Sequence, residues 1–193
     1  MFGVALAGGP GRRIGGSKAA VELAGRPLID YSIRALQAVG LRTVVVAKAE
    51  TPLPQLDVPV WIEDAPGSHP AYGIAAALAR AESPIVALAC DMPLVPGGLL
   101  EVLAGRAEPV VVPTSSRGIE PLPGRYSPTH ISALTDGADG GVALRSIVAD
   151  LDPHVLGPVE VAGHGDRETM FANVNSPGDL TRVERVLAET SPP

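Results

Sequence analysis

Phe2-Gly3-Val4-Ala5-Leu6-Ala7, followed by Gly8-Gly9-Pro10-Gly11-Arg12-Arg13-Ile14-Gly15-Gly16-Ser17-Lys18, is the stretch that decides how the rest of the chain is read. An uncharged, apolar run bounded by glycines predicts a strand buried on both faces. The strand feeds directly into a glycine-rich loop. A loop of this kind at the carboxyl end of a first parallel strand lets backbone N–H groups approach an anion with no Cβ in the way, so its default ligand is a phosphate. Arg12, Arg13 and Lys18 add cations to the same loop. Two familiar phosphate motifs fail on spacing. A Walker A loop counted from Gly11 has its second glycine at Gly16, but Ser17-Lys18 then stands in reversed order. A dinucleotide fingerprint begun at Gly9 meets Gly11 and then Ile14, where a glycine belongs. The competing reading is a surface loop with solvated cations. It is weighed down by the agreement of glycines, cations and a buried strand on one function.

Working outward, 193 residues suffice for one domain with its own core. Residues 1–190 are expected to form it and residues 191–193 a frayed tail. Hydrophobic residues make up 46% of the chain but aromatics only 3%, so the core has to be built from Ala, Val, Leu and Ile. That suits a Rossmann-like α/β fold: a mostly parallel sheet with helices on both faces. A net charge of -6 without a long basic stripe argues against a nucleic-acid partner, so a polyanionic partner should be small. The single cysteine, Cys90, has no partner for an internal disulfide, and no Cys/His cluster has zinc spacing. A reducing cytoplasm fits this. No apolar stretch approaches the roughly 18 residues of a membrane span, so no membrane association is expected.

Along the chain, Pro27 to about Val39 predicts a helix stopped by Gly40, and Thr43 to Ala47 a second parallel strand. Val60 to Glu63 reads as a third strand ending on Asp64, and Ala71 to Arg80 as an alanine-rich helix with Gly73 in its first turn. A glycine there removes a side chain where something comes close. Ser83 to Cys90 is the most apolar strand and ends on Asp91-Met92-Pro93-Leu94. Residues just past the carboxyl ends of parallel strands line the ligand crevice, so Asp91 should face the glycine-rich loop. Opposite bound phosphates its carboxylate is a natural Mg²⁺ ligand. The alternative is that Asp91 caps a helix beginning near Pro96. Cys90 reads as a packed small hydrophobe, since no base stands beside it in sequence.

Further on, Pro109 to Pro113 predicts a strand, and Gly118 to Ser127 interrupts the alternation. Helices are expected near Pro128 to Leu134 and Val142 to Ala149, with Asp136 to Gly141 a loop between them. Val155 to Val161 predicts an edge strand demoted by Pro158. Phe171 to Leu180 predicts a strand that delivers Asn173 and Asn175 on one face and turns into the last helix, with Ser176 as N-cap and Pro177 at its first position. Turn chemistry alone is the competing use of these asparagines.

Leu6-Ala7-Gly8-Gly9, the paired arginines, Gly15-Gly16, Lys18 and Gly25-Arg26-Pro27-Leu28 open the chain, and Asn173, Asn175, Ser176, Pro177, Asp179 and Leu180 close it. Together with Asp64, Gly73 and Asp91, these residues resemble the nucleotidylyltransferases, and within them the molybdenum cofactor guanylyltransferases. The resemblance implies a nucleotide-diphospho-sugar transferase-like fold. It implies Mg²⁺-dependent transfer of GMP from GTP to a molybdopterin-type phosphate, with release of pyrophosphate. It further implies transient contacts with molybdenum cofactor biosynthetic or target enzymes. Carried over by position, the backbone of Leu6, Ala7 and Gly8 reads the base, and Gly9, Arg12, Arg13 and Lys18 wrap the triphosphate. Asp64 and Gly73 attend the nucleotide, Asp91 holds the metal, and Arg125, Asn173 and Asn175 meet the acceptor. Arg12, Lys18 and Asp91 are the catalytic candidates. An ordinary solvated loop arginine is the other reading of Arg125.

Two positions depart from the resembled pattern and bear on nucleotide choice: Ser17 stands where an Asp is frequent, and Lys48-Ala49 where an asparagine is. A CTP-using molybdopterin cytidylyltransferase and a guanylyltransferase of another phosphorylated acceptor, such as cobinamide phosphate, are the near alternatives. A nucleotide-sugar glycosyltransferase would present Asp-x-Asp, where this chain has Asp91-Met92-Pro93. A non-catalytic nucleotide-binding protein is the remaining one.

Overall fold

The computed structural model describes residues 1–8 and 17–190. The nucleotide contacts expected of Gly9, Arg12 and Arg13, and the tail after residue 190, lie outside the described residues. The chain opens with strand β1 (Phe2–Leu6) and resumes with a short 3-10 turn (Lys18–Ala20). A small antiparallel hairpin follows, β2 (Glu22–Leu23) and β3 (Arg26–Pro27), and leads into helix α1 (Leu28–Ala38). Pro27 is therefore the residue before the helix rather than its first. Then come β4 (Arg42–Ala47), β5 (Val60–Ile62), α2 (Pro70–Ala81), β6 (Ile85–Ala89) and α3 (Gly97–Gly105). The second half contains β7 (Val110–Ser115), β8 (Gly118–Ile119), β9 (Gly124–Tyr126), α4 (Ile131–Asp139) and α5 (Leu144–Ala149). It finishes with β10 (His154–Leu156), α6 (Pro158–Ala162), α7 (Arg167–Met170) and α8 (Pro177–Thr190).

The main sheet runs β10-β7-β9-β6-β1-β4-β5, with β8 paired to β7 at the side. β1 pairs in parallel with β4 and β6, β4 with β5, and β10 with β7. β9 is antiparallel to both β6 and β7, so those two strands again point the same way. The expected mostly parallel α/β sheet with helices on both faces is what forms.

The alternation of β1 explains its central place. Val4 and Leu6 face one apolar cluster with α2, α4 and α5, while Ala5 and Ala7 face another with α1, α3 and α6. Both faces are covered, as the uncharged sequence of this strand requires. Gly73 lets the first turn of α2 lie against β1, for a Cβ there would sit 3.1 Å from Leu6 Cδ2. What comes close at this glycine is thus the sheet itself, at the place where β1 ends.

Several local expectations change. Asp136 to Asp139 belongs to α4 rather than to a loop, because the apolar face of that helix continues to Ala138 in the second cluster. Val155 to Val161 divides into β10 and α6, with Pro158 starting a helix, a position that suits it as well as an edge strand. Phe171 to Ser176 makes no strand pairing among the described residues. It is extended chain held at its centre by Val174 N–H donating to the Asp91 carbonyl (2.9 Å).

The start of α8 is as the sequence predicts. Asp179 N–H donates to Ser176 Oγ (3.3 Å), while Ser176 Oγ–H (2.8 Å) and Asn175 N–H (3.1 Å) donate to Asp179 Oδ2. This reciprocal cap satisfies backbone groups that the first turn leaves open. The hydroxyl of Ser176, above all, holds the Asp179 carboxyl below its usual value of 3.8. A depressed folded pKa adds stability that is present above the unfolded pKa and lost as pH falls through the folded one. Ser176→Ala should cost about 1 kcal/mol, a fall in Tm of about 2–4 °C for a chain of this size. The Tm gap between wild type and Asp179→Asn should close as the pH is lowered from about 5 toward about 2. A gap that stays constant over that range would show that the cap does not depend on the ionised carboxylate.

Candidate active site

The carboxyl ends of β1, β4 and β6 and the first turn of α2 surround a cavity of about 320 Å³, lined among others by Gly8, Lys48, Gly73 and Asp91. Lys18 reaches into it from the end of the glycine-rich loop and forms an ion pair with Asp91, Nζ to Oδ2 at 2.7 Å. The same ammonium donates to Asn175 Oδ1. Three residues far apart in sequence, Lys18, Asp91 and Asn175, thus meet at one point. Asp91 does not cap α3, which starts after Pro96 with no side-chain cap. No three His, Cys, Asp or Glu side chains cluster as a metal cage among the described residues. A lone carboxylate does not suit zinc, but it suits Mg²⁺, which is commonly held by one or two carboxylates together with substrate phosphates.

The same cavity is lined by Lys48 and Glu63, a pair that the sequence reading does not bring together. Lys48 Nζ donates to Glu63 Oε1 (2.9 Å) and to the Ala65 carbonyl, and Ala65 N–H donates to the same Glu63 oxygen (2.6 Å). Glu63 is buried and lines the cavity, whereas Asp64 is exposed and does not. Strand register is the reason. Val46 pairs with Trp61 and Ala47 with Ile62, so Lys48 and Glu63 are next in line and Asp64 turns away. The backbone of β1 is also partly committed, since Ala7 N–H donates to the Val46 carbonyl and the Leu6 carbonyl accepts from Cys90 N–H. Gly8 is left as the open approach, with nothing among the described residues within 4 Å of where its Cβ would be.

Arg125 is not brought to this crevice. It lies on β9 opposite Val86 and Val111, toward the amino ends of β6 and β7, where Nε donates to the Glu108 carbonyl (3.0 Å) and Nη1 to Met1 Sδ (3.5 Å). Because β9 runs antiparallel, it carries this arginine back toward the start of β1. Burial lowers its pKa from the usual value. Asn173, in contrast, lines the cavity beside Asp91, and its amide donates to the Phe171 carbonyl (3.2 Å).

A sheet of this topology, with a lysine and a carboxylate paired across the carboxyl ends of its central strands, belongs to a nucleotidyltransferase. The chain is a member of the family of the MobA-like NTP transferase domain, whose model matches residues 3–155. It is 31% identical over 196 residues to the probable molybdenum cofactor guanylyltransferase of Pelotomaculum thermopropionicum, an alignment covering 98% of this chain and 94% of that one. The corresponding protein of Thermococcus kodakarensis is 31% identical over 204 residues, covering 100% and 98%. Among solved structures, molybdopterin-guanine dinucleotide biosynthesis protein A from Archaeoglobus fulgidus matches with a TM-score of 0.78 at 29% identity, covering 98% of this chain and 100% of that one.

Cys90, next to Asp91, is buried in the core against α1 and α3. Desolvation, reinforced by the charge of Asp91, pushes its thiol up to about 12, so it is protonated at neutral pH. Since the thiolate is the reactive form, alkylation of the native protein by iodoacetamide at pH 8 should be on the order of 10³ slower than alkylation of the guanidinium-unfolded chain. Comparable rates would show that this side of the crevice is open to solvent.

Proposed function

We propose that the chain is a Mg²⁺-dependent guanylyltransferase that transfers GMP from GTP to the terminal phosphate of molybdopterin and releases pyrophosphate. The observation that carries the reading is the meeting of Lys18, Asp91 and Asn175 beside the cavity. The names borne by the relatives supply the acceptor. In the reaction an oxygen of the acceptor phosphate attacks the α-phosphorus of GTP. The bond to the β-phosphate oxygen breaks, and its electron pair leaves with pyrophosphate. Both reactants are anions, so the site's main task is to align them and to balance charge as it shifts to the leaving group.

Lys18 is placed to turn its ammonium from Asp91 onto the phosphates. Asp91, freed of the lysine, would hold the metal, which when bound screens the phosphate oxygens and the departing pyrophosphate. Asn175, bonded to Lys18, and Asn173, beside Asp91, keep the lysine and the acceptor edge in register. No covalent enzyme intermediate is required. Glu63 favours guanine over cytosine. Oε1 is taken by Lys48 and Ala65 N–H, and Oε2 has no hydrogen bond among the described residues. A carboxylate is complementary to the adjacent N1–H and N2–H donors of guanine. Cytosine sets its single amino group beside a ring acceptor that would face the same negative charge.

Three outcomes are expected from purified protein supplied with molybdopterin and GTP. Pyrophosphate release should stop on chelation with EDTA and return with Mg²⁺. Lys18→Ala and Asp91→Asn should each lower turnover by at least 10³-fold, about 4 kcal/mol of transition-state stabilisation, while retaining a cooperative unfolding transition. Glu63→Gln should narrow the difference between the thermal shifts produced by GTP and CTP, where a ligand at 100 times its Kd adds about 2.7 kcal/mol. Full turnover by Asp91→Asn at limiting Mg²⁺ would remove Asp91 as the metal ligand. A shift with CTP but not GTP in the wild type would assign the cytidylyl reaction instead.

A further inference from the structure

Lys48 follows the last residue of β4 and Glu63 the last residue of β5, and Glu63 N–H carries the ladder one step further by donating to the Ala47 carbonyl (2.9 Å). Main-chain pairing thus sets the two side chains beside each other before either meets a ligand. They are 16% and 9% exposed, and both line the cavity. The transfer step uses Glu63 for the base and leaves Lys48 only as its counterion. Lys48 also stands where the chain departs from an asparagine frequent in its family, so what this lysine does belongs to the chain's own pair.

The pair does not use up its own hydrogen-bonding groups. A lysine ammonium has three N–H donors. Two of them go to Glu63 Oε1 (2.9 Å) and to the Ala65 carbonyl, and the third has no acceptor among the described residues. Glu63 Oε2 likewise receives no donor among them. As a whole the pair is neutral, so a bare phosphate or a free cation would be drawn by one member and repelled by the other. A neutral ligand with an acceptor next to a donor meets both remaining groups. Guanine has that order on one edge, with O6 followed by N1–H and N2–H, whereas adenine reverses it with an amino donor followed by a ring acceptor.

We infer that Lys48 is a specificity-determining residue of the nucleotide site, its third N–H donating to O6 of the base while Glu63 Oε2 accepts from the neighbouring N1–H. This rests on the guanylyl reading given above and deepens it, because the lysine and the carboxylate together exclude ATP as well as CTP. An adenine amino group would face the ammonium with no acceptor to offer. A site built around a desolvated hydrogen-bonding group rejects the analogue that leaves that group unpaired.

The test is isothermal titration of the full chain with GTP, ATP and 6-thio-GTP at neutral pH in the presence of Mg²⁺. The thio analogue changes only the acceptor at position 6, to a weakly accepting sulfur. Wild type should bind GTP at least about tenfold more tightly than either analogue. In Lys48→Met, which keeps the stem and removes the donors, GTP should weaken and the gap between GTP and 6-thio-GTP should close. A lysine that merely holds Glu63 would weaken both nucleotides alike and leave their ratio as in wild type. Because Lys48→Met leaves Glu63 without its counterion, the double variant Lys48→Met/Glu63→Gln restores neutrality and should show the same closed gap. Equal binding of GTP and 6-thio-GTP by wild type, or an unchanged ratio in either variant, would overturn the assignment. Pyrophosphate release from GTP and molybdopterin judges the guanylyl reading separately. No release, with the preference for GTP over 6-thio-GTP retained, removes the transfer reaction and upholds Lys48 as the reader of O6. Release with equal binding of the two removes Lys48 and leaves the reaction standing.

Discussion

Lys18, held between Asp91 and Asn175, ties the end of the opening loop to the end of the central strand β6 and to the segment that closes the chain. Its side chain and that of Asp91 are 17% and 16% exposed. At that burial, removing either partner strands a charge in partly dry surroundings. The closing segment depends on it because residues 171–175 have no sheet ladder of their own. That segment is anchored at Asp91 twice, by the Val174 backbone bond and through Lys18, and in apolar contact where Val174 and Val183 pack with Leu23 and Leu28. The little β2–β3 hairpin and α8 are thereby recruited to hold one carboxylate and one ammonium in place.

Strand direction then distributes the chemistry. β1, β4, β6 and β7 all point to the same edge of the sheet, and the carboxyl ends of the first three supply Gly8, Lys48 and Asp91 to the cavity. The antiparallel β9 stands between β6 and β7 and holds Arg125 opposite Val86 and Val111, toward the amino ends of its neighbours and away from the crevice.

What was legible in the sequence was whatever a short window determines. The uncharged run before the loop, the apolar run ending on Asp91, Gly73 in the first turn of α2 and the Ser176-Pro177-Asp179 helix start each carry their reading within a few residues, and each is found where expected. What was not legible depends on register or on distant partners. Glu63 and Asp64 are adjacent carboxylates, and only the pairing of β4 with β5 decides which faces the cavity, because a shift of one residue in a strand reverses its faces. Pro158 can end a strand or begin a helix, and the local pattern does not choose.

The charges of the site share one logic. Lys18 and Asp91 neutralise each other across the mouth of the cavity, and neither is an isolated charge in a region of low dielectric. In the proposed reaction a triphosphate entering with its cation would give the ammonium phosphate oxygens in place of the carboxylate and the carboxylate a cation in place of the ammonium, so that the number of opposite-charge contacts would stay the same. Arg117 and Arg182 follow the same rule with Glu120 and Asp179.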